Sequence, residues 1–233
     1  MDNDWRLAFM FDAPGGDLQA LERRLVGLGG TIRALAGAAQ VRTGVADRHP
    51  DLEVMASRGE VRFRTADGAL EVTVGPDRAM ALPQIARALR EVVADLAAAG
   101  SIEAMTGPIF RIVPPRDGEV FLSLAFRRDP ATTSQQFRDW WLNVHAPMCT
   151  PILSPQMLAY DQVHVNMGAT EAVCVAVGVA AVTYDAYDNL TWADRAAFFE
   201  SIGDVAGMQR IFLDEIGRID DTSRRNTLMR RVG

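Results

Sequence analysis

Lysine is absent from the 233-residue chain, so all 24 basic side chains are arginines. That absence excludes a Schiff-base mechanism, a lysine-bound pyridoxal cofactor and a phosphate loop of the Walker A type, each of which needs a primary amine. Histidine is scarce at three and cysteine at two. Cys149 and Cys174 follow no metal-binding spacing. With no export signal they are expected to be free thiols in a reducing cytoplasm. No apolar run is long enough to span a bilayer; the longest, Ala172 to Thr183, reads as a buried strand. The start, Met1-Asp-Asn-Asp-Trp-Arg6, is acidic and carries no signal-peptide core. A net charge of −6, with no basic cluster interleaved with aromatics, argues against a nucleic-acid partner.

What is present suits a large core. Hydrophobic residues make up 48% of the chain, and the composition is not that of a disordered protein. The first part opens with an apolar strand, Trp5 to Phe11. A helix follows from about Asp17, with Leu18, Leu21, Leu25 and Leu28 on one face, and Gly29-Gly30 is expected to end it. Strand-like material lies around Ile32 to Val45, Glu60 to Arg64 and Ala69 to Val74. Pro83 to Ala99 is a strong helix closed by Gly100, and Glu103 to Val113 a last strand.

Pro114-Pro-Arg-Asp-Gly118 reads as a linker, after which the pattern restarts. Glu119 to Arg127 is a predicted strand, Ser134 to His145 a helix, Met157 to Asn166 a strand and Val173 to Tyr184 a long strand. Trp192 to Ile202 is a helix, about Gly207 to Ile216 a second helical piece, and Arg224 to Val232 a closing strand. The expectation is an α+β fold. Two ferredoxin-like βαββαβ units stand in tandem, 1–113 and 119–233, joined by 114–118, with their open sheet faces packed together into a barrel. Two independent domains on a linker are the alternative. Free edge strands leave a homodimer open.

The most informative segment is Phe137-Arg-Asp-Trp-Trp-Leu-Asn-Val-His-Ala-Pro147. Thr133 with Gln136 three residues on has the pattern of a capping box. Phe137, Trp140, Trp141 and Val144 fall at i, i+3, i+4 and i+7, the stripe of a core-facing helix, with His145 at its margin. Pro147 is expected to stop the helix at Ala146. The result is an imidazole at a helix end, the side-chain type best suited to proton exchange, fit either for catalysis or for capping the last carbonyls. In the strand from Met157, Tyr160, Gln162 and His164 share one face. That row is expected to point into the barrel, with Val163 and Val165 toward the helices, and either lines a cavity or forms a hydrogen-bonded core ladder.

Three segments carry a resemblance. The helix at 137–147 resembles the Phe-x-x-Tyr-Trp-x-x-x-His-Ala-Pro helix of the EthD family of dimeric α/β-barrel proteins. Tyr160-Asp-Gln-Val-His-Val165 is similar to that family's Tyr-x-Gln-x-His-Val strand. Tyr184-Asp-Ala-Tyr-Asp-Asn-Leu-Thr-Trp192 resembles its Asp-Gly-x-x-Glu-x-x-Trp segment, with Asp188 in place of glutamate and Ala186 in place of glycine. Leu213-Asp-Glu-Ile-Gly-Arg-Ile-Asp220 is a weaker likeness. The first part shows the element order without the motifs and offers only His49, so the resemblance implies a degenerate copy there and one site on 119–233.

The resemblance says little about which reaction runs: related barrels include cyclases, dehydratases, decarboxylases, lactone isomerases and haem-dependent enzymes, and many act without metal or cofactor on hydrophobic cyclic, aromatic, polyketide or terpenoid substrates. The expected activity is a cofactor-independent lyase or isomerase on such a substrate: dehydration, cyclisation or isomerisation by proton transfer. His145 and His164 are the candidate acid and base. Tyr160 is a candidate donor to a developing oxyanion, and Asp185 orients a histidine or carries a proton. Trp140, Gln162, Asp188 and Trp192 are candidate substrate-binding residues, although Asp188 also suits a turn or cap. Cys149 qualifies as a nucleophile only if a neighbour depresses its pKa. A non-catalytic module for a small molecule or partner is the alternative, and a haem or metal oxygenase using His145 or His164 is the third reading.

Overall fold

The computed structural model describes residues 3–37, 39–55, 57–58, 61–62 and 64–232. In chain order the elements are β1 (Trp5–Phe11), α1 (Leu18–Ala36), β2 (Gln40–Ala46), α2 (Pro50–Met55), β3 (Ser57–Arg58), β4 (Val61–Arg62), β5 (Gly68–Val74), α3 (Leu82–Leu96) and β6 (Glu103–Val113). Then come β7 (Val120–Arg128), α4 (Ser134–Trp140), α5 (Ala146–Leu153), β8 (Met157–His164), α6 (Met167–Val177), β9 (Ala186–Trp192), α7 (Arg195–Ile202), α8 (Val205–Glu215) and β10 (Ile219–Arg231). The expected strand Glu60 to Arg64 falls partly outside the described residues.

Eight strands close a barrel in the order β1-β5-β2-β10-β7-β9-β8-β6, while β3 and β4 form a separate ribbon. Every neighbouring pair is antiparallel. The strands before and after the 114–118 segment stay in two contiguous blocks. Two seams join the blocks: β2 against β10, and β6 against β8, where Ile109 faces Val163. Closure removes the edges that an open sheet would expose. Among the described residues no helix is long and apolar enough to cross a membrane.

Strand alternation sorts side chains into three layers. Leu7, Phe9 and Phe11 of β1 pack outward with Leu21, Leu25, Ile85, Leu89 and Val93 of α1 and α3. Ala8 and Met10 point inward and meet Met105, Phe121, Ala125, Val163, Tyr187 and Met229. Outside the other block lies a third layer built on Cys149, Tyr160, Leu190, Trp192, Phe198 and Ile211. The barrel interior is therefore filled, as small barrels are. Part of the filling is ionic. Arg6 donates to Asp161 at 2.7 Å, and Arg42 donates to Glu71 at 2.5 and 3.0 Å. Asn189 donates to Glu71 at 2.7 Å, and the Tyr187 hydroxyl donates to it as well. Burial alone would push the Glu71 carboxyl up; Arg42 and Arg6 outweigh it and hold the group below its ordinary value.

Three expected elements differ. The segment 173–184, expected as a long strand, contains none: 173–177 is the end of α6, which is capped by the Asn166 side chain and stops at Gly178 with φ 83°, and 179–184 is irregular. Thr170, Val173, Cys174 and Val177 sit on one helical face, and α6 packs on α3 and β6. The helix expected from Trp192 starts at Arg195 behind an Asp194 cap, because Trp192 still belongs to β9. Gly29-Gly30 does not end α1, which runs on to Ala36 and terminates at Gly37, φ 67°. Burial of Ile32 and Ala36 on the face of Leu21 and Leu25 outweighs the cost of the glycines.

That continuity has a direct test. A Cβ at Gly30 would meet nothing within 4 Å, and its φ is not positive. Gly30→Ala should therefore stabilise the protein by roughly 0.5–1 kcal/mol, read as a higher urea midpoint. A lower midpoint would mean that the helix stops where the glycines first suggest.

Candidate functional site

The site is built on one interrupted helix. Thr133 caps α4: its hydroxyl accepts from the Gln136 amide at 3.2 Å, and the Gln136 side chain accepts from the Thr133 amide at 3.0 Å. Between α4 and α5 the turn Trp141–His145 is wide, with the Ala146 amide donating five residues back to the Trp141 carbonyl. Pro147 has no N–H to give, and the wide turn absorbs the missing bond, so the helix passes the proline and runs to Leu153. This corrects the expected stop at Ala146. It also corrects the stripe. The extra residue rotates Val144 out, leaving it 53% exposed, and brings His145 in with Phe137, Trp140 and Trp141.

His145 is held on both ring nitrogens. Nδ1 lies 3.0 Å from Asp214 Oδ2, an oxygen that also accepts from Trp140 Nε1 at 3.1 Å. A carboxylate at Nδ1 places the imidazole proton there and leaves Nε2 as the acceptor. Nε2 faces Cys149 Sγ at 3.3 Å and Glu215 Oε1 at 3.9 Å. Burial, then nearby acidic side chains led by Glu215, push the Cys149 thiol up, so it stays protonated and donates to Nε2. A nucleophilic thiolate is thereby disfavoured. Glu215 is tied to Arg224 at 2.7 Å, and Arg224 to Asp221 at 2.8 Å.

These groups open on a cavity of about 370 Å³ between the β7–β10 sheet face and helices α5, α7 and α8. Leu122, Leu190, Trp192, Phe198 and Ile211 supply apolar walls; Tyr160, Asp188 and Glu215 supply polar points. The rim comes from the earlier part of the chain, through Asp47, Arg48, His49, Leu52 and Thr65. His49, edge-on to Phe199 at 5.5 Å, thus borders the same cavity as His145.

The row Tyr160, Gln162, His164 faces the helices, not the barrel interior as expected. Val163 points inward, and Asp161 goes with it to meet Arg6. Gln162 ties the row together. Its amide donates to Tyr160 Oη at 2.9 Å and to the Trp141 carbonyl at 3.0 Å, and its oxygen lies 3.4 Å from His164 Nε2. Only Tyr160 of the three reaches the cavity. His164 stacks on Trp141 at 4.8 Å and on Phe110 at 4.3 Å, beside a separate surface hollow. Burial, reinforced by Arg138, lowers its pKa to about 4. Asp185 borders that hollow too and anchors Arg128 through the backbone amide at 3.0 Å and the guanidinium at 3.3 Å. Trp140 acts through Asp214, not on the cavity wall. Trp192 and Asp188 line the cavity.

Sequence reasoning missed Asp214, Glu215, Arg224 and the Asp47–Leu52 rim. The acidic Leu213–Asp220 segment was the available signal for the first two. Among the described residues no three of His, Cys, Asp and Glu are placed to hold a metal ion. Haem needs an open axial nitrogen. His145 Nε2 has the orienting carboxylate behind it that such ligands use, but the Cys149 sulfur and the Glu215 carboxylate stand in front of it. The residues in this arrangement do not fit an iron porphyrin.

The model of the EthD domain matches residues 129–222. No curated protein matches the sequence. Among solved structures, an anthrone oxidase-like protein superposes with a TM-score of 0.61 at 10% identity, over 100% of this chain and 92% of that one. A mutant chlorite dismutase from Candidatus Nitrospira defluvii gives 0.57 at 10% identity, over 100% and 92%. A heme-binding protein from Thermus thermophilus gives 0.51 at 10% identity, over the same shares. These matches overturn the expectation of a cofactor-independent lyase or isomerase: the structures that share the fold are named as oxidase-like, dismutase and heme-binding proteins. The chain is a closed, eight-stranded α+β barrel whose fold resembles those of these structures.

Proposed function

We propose that the chain is an oxidoreductase of the EthD type, two ferredoxin-like units fused in tandem. It oxidises an activated methylene of a hydrophobic ring ketone with dioxygen. The methylene carbon and one dioxygen molecule become a carbonyl carbon and one water molecule. The observation that carries this reading is His145. Its Nδ1 is fixed by Asp214, its Nε2 meets the Cys149 thiol, and its ring borders a cavity of about 370 Å³ with apolar walls and a few polar points. A neutral imidazole is a base suited to proton removal near pH 7. The name of the anthrone oxidase-like structure supports the substrate class.

The chemistry follows from those positions. The substrate displaces the Cys149 thiol from Nε2, and His145 takes a proton from the methylene carbon. Asp214 stabilises the imidazolium. The carbanion, delocalised over the ring ketone, gives its electrons to dioxygen and a carbon–oxygen bond forms. His145 returns its proton to the terminal oxygen, giving a hydroperoxide. Loss of the second methylene proton with cleavage of the O–O bond leaves the new carbonyl and water. Four electrons leave the carbon and four enter dioxygen, so no reductant is required. The apolar walls exclude bulk water from the carbanion.

With anthrone as probe, oxygen uptake should match anthrone consumed one to one. His145→Ala should lower turnover by about 10²–10⁴ with the fold intact, and Asp214→Asn should lower it by less. Equal turnover in His145→Ala and wild type would sink the assignment. A Soret band that His145→Ala abolishes would replace it with haem chemistry.

His164 should act on stability instead. Its folded pKa of about 4 lies below the ordinary 6.5, so the folded state holds fewer protons between those values. Its contribution is present above pH 6.5 and lost as pH falls through about 4, on the order of 3 kcal/mol in all. His164→Phe keeps an aromatic against Trp141 and should flatten the fall in urea-unfolding free energy between pH 7 and 4.5, while anthrone turnover stays near wild type. An unchanged slope would remove His164 as its source.

A further inference from the structure

Asp188 is the group in the cavity that the proton transfer does not use. It sits on β9, between Leu124 of β7 and Gln162 of β8, and is 4% exposed. Its Oδ1 has no hydrogen-bond partner among the described residues. A buried polar atom without a partner is costly, and native structures rarely carry one unexplained. This one lies in the wall of a cavity with room for a ring compound.

Its setting is built. Gln162 donates to Tyr160 Oη at 2.9 Å, and Tyr160 and Asp188 lie in the same cavity wall. The Asp188 carboxyl thus belongs to the cavity wall with one oxygen unpartnered among the described residues. The surrounding charge decides what can meet it. Glu215 is a second carboxylate in the same wall. Both lining arginines are already paired, Arg224 with Glu215 and Asp221, and Arg48 with Asp67. An anionic ligand would meet two carboxyl groups and no uncommitted cation among the described lining residues. Burial, then Glu215, push the Asp188 carboxyl well above its ordinary value, against the opposing pull of Arg224 and Tyr160. A neutral carboxyl both donates and accepts.

We infer that Asp188 anchors an uncharged oxygen substituent, a ring carbonyl or phenolic hydroxyl, so that the cavity admits neutral oxygenated ring compounds and excludes ring carboxylates. This inference rests on the reading of the cavity as the substrate site. Under that reading Asp188 holds the ketone oxygen on which the carbanion charge collects, and sets which ring position faces His145 Nε2.

Calorimetric titration with 2-naphthol and 2-naphthoate tests it without turnover. The two probes share a ring system and differ in charge at pH 7. The full-length protein should bind 2-naphthol at least about tenfold more tightly than 2-naphthoate. Asp188→Asn keeps a donor and an acceptor in the same shape and should hold 2-naphthol affinity within roughly threefold. Asp188→Leu should weaken it about tenfold or more, the worth of one lost hydrogen bond in a dry site. Equal affinity for the two probes overturns the inference. So does wild-type affinity for 2-naphthol in Asp188→Leu, which would leave Oδ1 satisfied by water only, and so does failure of 2-naphthol to bind. Discrimination between the probes in a protein that consumes no oxygen with anthrone would leave the anchor standing and remove the oxidase reading.

Discussion

The buried ionic belt inside the barrel fixes the rest of the structure, because it sets the parity of the strands that carry the site. Asp161 turns inward to meet Arg6 at 2.7 Å, and Tyr187 and Asn189 turn inward to meet Glu71. A strand has period two, so a one-residue slip exchanges its faces. With Asp161 inside, Tyr160 and Gln162 must lie outside against the helices. With Tyr187 and Asn189 inside, Asp188 must lie outside as well. Cutting one partner of a buried pair costs about 3–5 kcal/mol, so the alternative register is closed to β8 and β9. The belt spans both blocks of the barrel, with Arg6, Arg42 and Glu71 from one and Asp161, Tyr187 and Asn189 from the other. The geometry of the site on the later block is therefore held by residues far earlier in the chain.

This explains how much was legible beforehand. That Tyr160, Gln162 and His164 share a face follows from alternation alone. Which face they occupy depends on Arg6, 155 residues away from Asp161 in sequence, and no local pattern carries that information. The aromatic helix was legible through its cap and through Phe137, Trp140 and Trp141. Its continuation was not, because a proline reads as a stop unless the preceding turn widens. The widened turn moved the buried position from Val144 to His145. Apolar runs behaved as an ambiguous signal: 172–183 fits a strand or a buried helix by composition, and packing on α3 decided for helix over 172–177 only. Asp214 was hidden for a different reason. A carboxylate that orients a histidine is recognisable only once the fold brings α8 beside the wide turn.

The filled interior also decides where chemistry can occur. Met10, Met105, Met229 and Tyr187 occupy the barrel, together with the belt, and leave the space between the sheet and α5, α7 and α8 as the place for a ligand. The two histidines of the later block are separated by that architecture. His145 borders the cavity with a carboxylate on its far nitrogen. His164 is pressed between two aromatic rings, neutral at ordinary pH, and serves the packing beneath the wide turn.

Gln162 connects the two regions. One amide donates to the carbonyl that the wide turn has already engaged, and to the Tyr160 hydroxyl in the wall that also carries Asp188. The helix irregularity that presents His145 and the wall that carries Asp188 are thus linked through a single side chain. Their relative position is set by one buried residue on β8, which the belt holds in register. His145 on one wall and Asp188 on another can act on one ligand only at a fixed separation. The chain from Arg6 through Asp161 and Gln162 to the Trp141 carbonyl is the physical means by which this fold keeps them there.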